Sequence, residues 1–350
     1  MAKSLQILTT PVFGLVLTPQ TNQEIDIGRV KFISAKKIPR VRKRLALKHT
    51  ISEYKGMLGA TKLGLFSNAD TYAVLKTNRD PSDQDLSSEF KEIQNAFWIM
   101  ASSFACFNWR QQAAMSLRSP TNSKTVKDVC VFDGKTGGYR VNVRLNAAHQ
   151  PNICEGFWVE SAKRAHFFSL LKMIDGKSKA KPRWRASIKR AAILFGQSYL
   201  ANHRAEAFTY TMIAIETLLS ERGDKFPDTL VRRIVAILGW MTKEDPEPWK
   251  ETISRLYNLR CGYVHDGKSG DITGMDLFEA DTLLKNLLTN LCKNTKHISS
   301  KSHVISLAEE LAAYQTLGMP PKRKPKFTHQ QTVLSQHARD KINNTHEWEW

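Results

Sequence analysis

No stretch of the chain stays apolar for the roughly 20 residues that a membrane-spanning helix needs, so a helical membrane anchor is not expected. Cysteine is scarce, and Cys106, Cys130, Cys154, Cys261 and Cys292 are widely separated and odd in number. No two of them sit at zinc-ligand or redox-motif spacing, so buried, reduced thiols are expected, with no metal and no other cofactor. Internal repeats are absent. The opening stretch is interrupted by Gln6, Thr9, Thr10 and Pro11. That is too broken for the apolar core of a secretory signal, and a cytoplasmic location is expected. Acids are also in deficit: 33 Asp and Glu stand against 52 Lys and Arg, a formal net charge of +19 over 350 residues.

The excess charge is unevenly placed. Residues 29–48 carry Arg29, Lys31, Lys36, Lys37, Arg40, Arg42, Lys43, Arg44 and Lys48 without one acid. Residues 163–190 carry ten cations against the single acid Asp175. Blocks of one sign are stable when solvated or matched to a polyanion, which points to nucleic acid. Arg40, Arg42, Lys43 and Arg44 in the first block, and Lys179, Lys181, Arg183 and Arg185 in the second, are the candidate contacts. A merely solubilising surface is the bland alternative. Anionic lipid fits less well, because neither block has a clear amphipathic partner face.

Periodicity divides the chain and predicts an α+β protein: residues 1–150 mix strands and helix, residues 155–317 are helical throughout, and residues 318–350 form a basic tail. In the first part, Val12 to Leu17 and Ile25 to Ile33 read as strands broken by Pro19, Asn22 and Gly28. Val126 to Phe132 and Tyr139 to Leu145 read as a hairpin around a glycine-rich turn. That turn contains Gly134-Lys135-Thr136, but Val129 stands where a phosphate-binding loop needs its first glycine, so the hairpin reading holds. Between these strands, Phe90, Ile93, Phe97, Met100 and Phe104 recur at helical spacing within about Asp83 to Leu117.

The helical part reads as segments Glu155–Ile174, Arg183–Ala201, Arg204–Glu221, Asp228–Met241, Pro246–Val264, Met275–His297 and His303–Leu317. Asp245 is placed to cap one of them with Pro246 in its first turn, and Gly267 falls where a left-handed C-terminal cap would sit. The proline-lysine run at residues 320–326 reads as a solvated basic end.

One segment carries chemistry: Leu256-Tyr257-Asn258-Leu259-Arg260-Cys261-Gly262-Tyr263-Val264-His265-Asp266-Gly267. An arginine followed by a histidine five positions on is common in so basic a chain. The same spacing occurs at Arg44/His49 and Arg144/His149, with looser forms at Arg323/His329 and Arg339/His346. Only Arg260 lies late in an apolar-striped helix, with the histidine at its C-terminal end and a glycine just beyond. A histidine there is also favoured by the helix dipole without any function, and an arginine can simply meet a nearby acid such as Asp266.

In that context the phrase resembles the "leucine, tyrosine, x, x, arginine, serine, x, x, valine, histidine, glycine" phrase of Apea-like HEPN domains. Ile215-Glu216-Thr217-Leu218-Leu219 is similar to that family's "alanine, leucine, glutamate, x, leucine" helix. Leu230 to Leu238, with Arg232 and Arg233, resembles the helix that follows it. The resemblance covers about Arg183 to His297. It departs from the family at Cys261, where a polar residue is usual, and at Asp266, where glycine is common.

The resemblance implies an all-α HEPN bundle that cleaves RNA without metal, in a prokaryotic antiphage or toxin-like role, with a homodimeric site. Its catalytic set would be Arg260 and His265, with Glu216 orienting the arginine and Cys261 beside it. Such an enzyme must be restrained, so a trigger or neutralising partner is expected, with the first domain as sensor or substrate binder. An inactive HEPN module that dimerises and binds nucleic acid is the alternative that Cys261 and Asp266 favour.

The residue types suit the reaction. Attack by a ribose 2′-hydroxyl on the adjacent phosphate needs a proton carrier and a cation to hold the developing negative charge. Imidazole titrates near neutral pH, and a guanidinium fork matches phosphate oxygens. Five residues apart on a regular helix, the two groups point about 140° apart. Either the helix frays near Tyr263, or a second copy completes the site. Tyr257 and Tyr263 are expected to pack the helix, and either could stack on a base.

Overall fold

The computed structural model describes residues 4–48, 69–79, 85–105, 129–133, 139–142, 152–201, 203–224, 227–238, 247–319 and 327. It is a mixed α+β chain in two compact units, Met1–Ser161 and Ala162–Trp350. Among the described residues no helix is long and apolar enough to cross a membrane.

The first unit is built on an antiparallel sheet of β1 (Ser4–Val12), β3 (Glu24–Ile27), β4 (Val30–Ser34), β5 (Thr71–Arg79), β6 (Val129–Asp133) and β7 (Tyr139–Asn142), ordered β3-β4-β5-β1-β6-β7. A separate parallel pair joins β2 (Leu15–Leu17) to β8 (Asn152–Cys154). The opening stretch, interrupted by Gln6, Thr9, Thr10 and Pro11, is the inner strand β1, buried from Gln6 to Val12. Pro11 is tolerated because β1 pairs with β6 only over Gln6–Thr9; at Pro11 the ladder has β5 alone, against Tyr72. The β3–β4 hairpin turns through Gly28 and Arg29, with Gly28 at φ +60°, as a first-position glycine of a tight hairpin requires.

On this sheet lie the short α1 (Ile38–Val41) and α2 (Ser87–Phe104). Ile93, Phe97, Met100 and Phe104 form the buried stripe of α2, and Phe90 sits at its edge. The expected hairpin is present as β6 and β7. Its Gly134-Lys135-Thr136 turn lies outside the described residues, as do the ends of the segment expected at Asp83 to Leu117.

Helices α3 (Gly156–Arg164) and α4 (Phe167–Ile174) replace the single helix expected over Glu155–Ile174. The chain breaks at Ala165 and His166, both buried, with no proline or glycine to announce it. Then follow α5 (Pro182–Tyr199), α6 (Arg204–Leu219), α7 (Asp228–Leu238), α8 (Glu247–Asp266), α9 (Gly274–Lys293) and α10 (Lys301–Thr316). Pro182 opens α5 behind an extended Lys181, where its missing N–H costs nothing. Thr273 and Asp276 close a capping box on α9.

Helix α6 is the centre of this unit. Ala205, Ala207, Phe208, Thr211, Met212, Ala214, Ile215, Leu218 and Leu219 are buried around most of its circumference, the signature of a helix packed on several sides. Its polar core contacts are satisfied: the Thr211 hydroxyl donates to Asp281 Oδ1 at 2.9 Å and meets Ser198 Oγ at 2.7 Å.

Candidate functional site

One half-buried strip remains on α6, made of Glu206, Thr209, Tyr210, Ile213, Glu216 and Thr217. Helix α8 packs against α6. Its buried stripe begins Ile253, Leu256, and at the next helical position, seven residues after Ile253, stands Arg260. A charge in an apolar stripe is stable only with a partner. The partner is Glu216: Arg260 Nη2 donates to Oε2 at 3.2 Å, and Nε lies 3.2 Å from Oε1 as an ion pair. Both side chains are 19% exposed. Burial pushes the Glu216 carboxyl above its ordinary range, and the Arg260 charge pulls the other way. The acid that meets Arg260 is thus Glu216 and not Asp266, which pairs with Lys268 at 3.4 Å.

The last turn of α8 does not fray. The Gly267 N–H donates to the Tyr263 carbonyl at 3.0 Å with Gly267 at φ +70°, a left-handed cap that holds the helix closed through Asp266. This corrects the first of the two alternatives raised by the 140° separation. Arg260 leans on α6, and His265 stands exposed in the final turn beside an exposed Val264. Cys261 is half-buried, unlike the buried Cys154 and Cys292. Burial, and then its contact with the Cys261 thiol, pushes the Tyr257 hydroxyl up to about 12. Cys106 lies outside the described residues.

Sequence reasoning missed Tyr210 and Glu206. Tyr210 donates to Glu206 at 3.1 Å; burial, Glu206 and the neighbouring Tyr263 together raise its pKa. Their i, i+4 spacing in α6 was the available signal.

The basic residues separate in the same way. Arg40 and Lys43 are exposed and Arg42 is half-buried. Arg44 is drawn to Glu24 at 2.5 Å, and Lys37 meets the same carboxylate at 3.0 Å. The block that carries no acid in sequence borrows Glu24 and Asp26 from β3, whose alternation of buried Ile25 and Ile27 puts both acids on the outer face. In the second block Lys179, Lys181 and Arg183 are exposed. The Arg185 guanidinium packs over Gly176, where a Cβ would lie 3.0 Å from Nη1. Of the competing arginine–histidine pairs, His49, Arg144, His149, Arg323, His329, Arg339 and His346 lie outside the described residues, as do Asp245 and Pro246. Among the described residues no group of three or more His, Cys, Asp or Glu could hold a metal ion.

Comparisons with family models, curated proteins and solved structures find no match for this chain.

Proposed function

We propose that the helical unit is a cytoplasmic HEPN-type endoribonuclease, working without metal in an antiphage or toxin-like role. In this reading Arg260 holds the phosphate and its developing charge, and His265 moves the proton. The 2′-hydroxyl attacks the adjacent phosphorus, the bond to the 5′-oxygen breaks, and that oxygen takes a proton. The products are a 2′,3′-cyclic phosphate and a 5′-hydroxyl. Glu216 holds the guanidinium from one side and leaves it unspent N–H donors. Because α8 is intact and its two groups point apart, the site is completed by a second copy of the chain.

The observation that carries this reading is a charged arginine placed in an apolar stripe and held by one carboxylate, a turn before an exposed histidine. Purified protein is incubated with RNA in excess chelator, beside Arg260→Gln and His265→Ala. Cleavage by the parent alone, with cyclic-phosphate ends, is the expected result; identical behaviour of all three rejects it. The second reading is an idle HEPN module that dimerises and binds nucleic acid. The engagement of Cys261 with Tyr257 and of Asp266 with Lys268 favours it. RNA binding without cleavage in that assay would select it.

A further inference from the structure

We infer that residues 36–48 of the first unit form a preassembled contact for a phosphodiester strand. In it Lys36, Arg40, Lys43 and Lys48 meet phosphates, and Lys37 and Arg44 hold the segment's shape through Glu24. This stands whether or not Arg260 and His265 cleave RNA.

The segment is fastened from beneath. Ile38, Leu45 and Leu47 are buried in one cluster with Ile7, Ile33, Tyr72 and Val74 of the sheet. The turn after α1 is closed by the Leu45 N–H on the Val41 carbonyl at 3.0 Å and the Leu47 N–H on the Arg42 carbonyl at 3.1 Å. Ala46 sits at φ +58°, a left-handed conformation that alanine rarely adopts and that the packing on both sides imposes. Lys37 is tied twice, to Glu24 and to the Asn22 carbonyl at 2.5 Å. Burial alone would raise the Glu24 carboxyl, but hydrogen bonds from Arg44 and Lys37 outweigh it and hold the group below its ordinary value.

Apart from Pro39, what remains outward is all positive. Lys36, Arg40, Lys43 and Lys48 are exposed, and among the described residues no acid lies against them. Lys76 on β5 reports the same excess: burial, and then the charges of Lys31 and Arg44, lower its pKa. An anionic membrane is the poorer fit, because Ile38, Leu45 and Leu47 are buried in the cluster with the sheet and only Pro39 is left as an exposed apolar side chain, with no large one to enter lipid. A regular chain of phosphates can accept several cations at once, without reading sequence.

The test uses the full chain carrying His265→Ala, so that bound RNA is not cut, and a labelled single-stranded RNA of mixed sequence. Affinity is measured by fluorescence anisotropy at rising sodium chloride. Adding Lys36→Gln, Arg40→Gln and Lys43→Gln lowers the slope of log affinity against log salt by about 2, roughly 0.7 per lost phosphate contact. A charge-matched triple at exposed Lys91, Arg222 and Lys296 leaves the slope almost unchanged. Arg44→Gln weakens binding at an unaltered slope, and Arg44→Lys restores it. Equal losses from both triples, or undiminished RNA binding by the first, overturn the inference. So does a first triple that releases phosphatidylserine vesicles while still holding RNA. If the first triple melts early, each single substitution is measured instead, and a slope loss well under about 0.7 for all three has the same consequence.

Discussion

Among the arginines of the helical unit that meet acids, Arg233 and Arg260 are built to opposite ends. Arg233 on α7 is 6% exposed and spends four donors. Nη1 reaches the Leu219 carbonyl at 2.7 Å and Asp224 at 2.6 Å, Nη2 reaches Asp224 at 3.1 Å, and Nε reaches Glu309 at 3.2 Å. It ties the end of α6 to α7 and α10 and has little left to offer a ligand. Arg260 meets one carboxylate side-on and keeps most of its five N–H groups uncommitted. A saturated guanidinium is a structural pin; an undersaturated one at a half-buried face is equipped to receive phosphate oxygens.

The comparison can be broken by experiment. The largest effect expected is on activity: Arg260→Gln or His265→Ala lowers RNA cleavage by about a hundredfold to ten-thousandfold, read from initial rates in chelator. Retained cleavage in either variant removes that residue from the chemistry. Arg233→Met should behave in reverse, destabilising the fold by about 3–5 kcal/mol because Asp224 and Glu309 lose their shared cation. Denaturant melts check this, and a loss under about 1 kcal/mol would erase the contrast.

His166 supplies a stability effect that depends on pH. It is fully buried, and burial, with Lys285 and Lys293 nearby, lowers its pKa to about 3 from 6.5. Between those values the unfolded chain binds the proton that the folded chain refuses, so stability falls as pH drops from about 6.5 towards 3. The loss is on the order of a few kcal/mol. Melts of the protein and of His166→Gln over this window should converge in acid; parallel curves would deny the buried imidazole this part.

Glu216→Gln keeps the shape and removes the charge that holds Arg260, and cleavage should fall about tenfold to a hundredfold, or about 1.4–2.7 kcal/mol. The smallest effect expected is from Cys261→Ser, under about 1 kcal/mol in stability and under about fivefold in rate. A large rate loss there would give the thiol a role beyond its contact with Tyr257.

Much of the helical unit was legible because apolar residues recur every three or four positions, and α5 to α10 fall within a few residues of their expected limits. The break at His166 was not, because burial of that corner, and no local signal, makes it. Strands β1 and β5 escaped notice for a related reason: strands buried on both faces show no alternation, and Pro11 reads as a stop until its unpaired side is known. At the candidate site, Glu216 could be singled out as an acid in an otherwise apolar segment, and its pairing with Arg260 follows from the cost of burying either alone. The service of Glu24 to Lys37 and Arg44 could not be seen, since it joins a strand to a loop 20 residues on.

The central claim meets its most direct trial when parent, Arg260→Gln and Arg233→Met are compared side by side for RNA cleavage in excess chelator and for melting temperature. The expected outcome is an Arg260→Gln protein that melts somewhat below the parent, because Glu216 loses its cation, yet stays folded and does not cut, and an Arg233→Met protein that melts earlier still yet cuts while it remains folded. An Arg260→Gln protein that cuts at the parent's rate would contradict the claim.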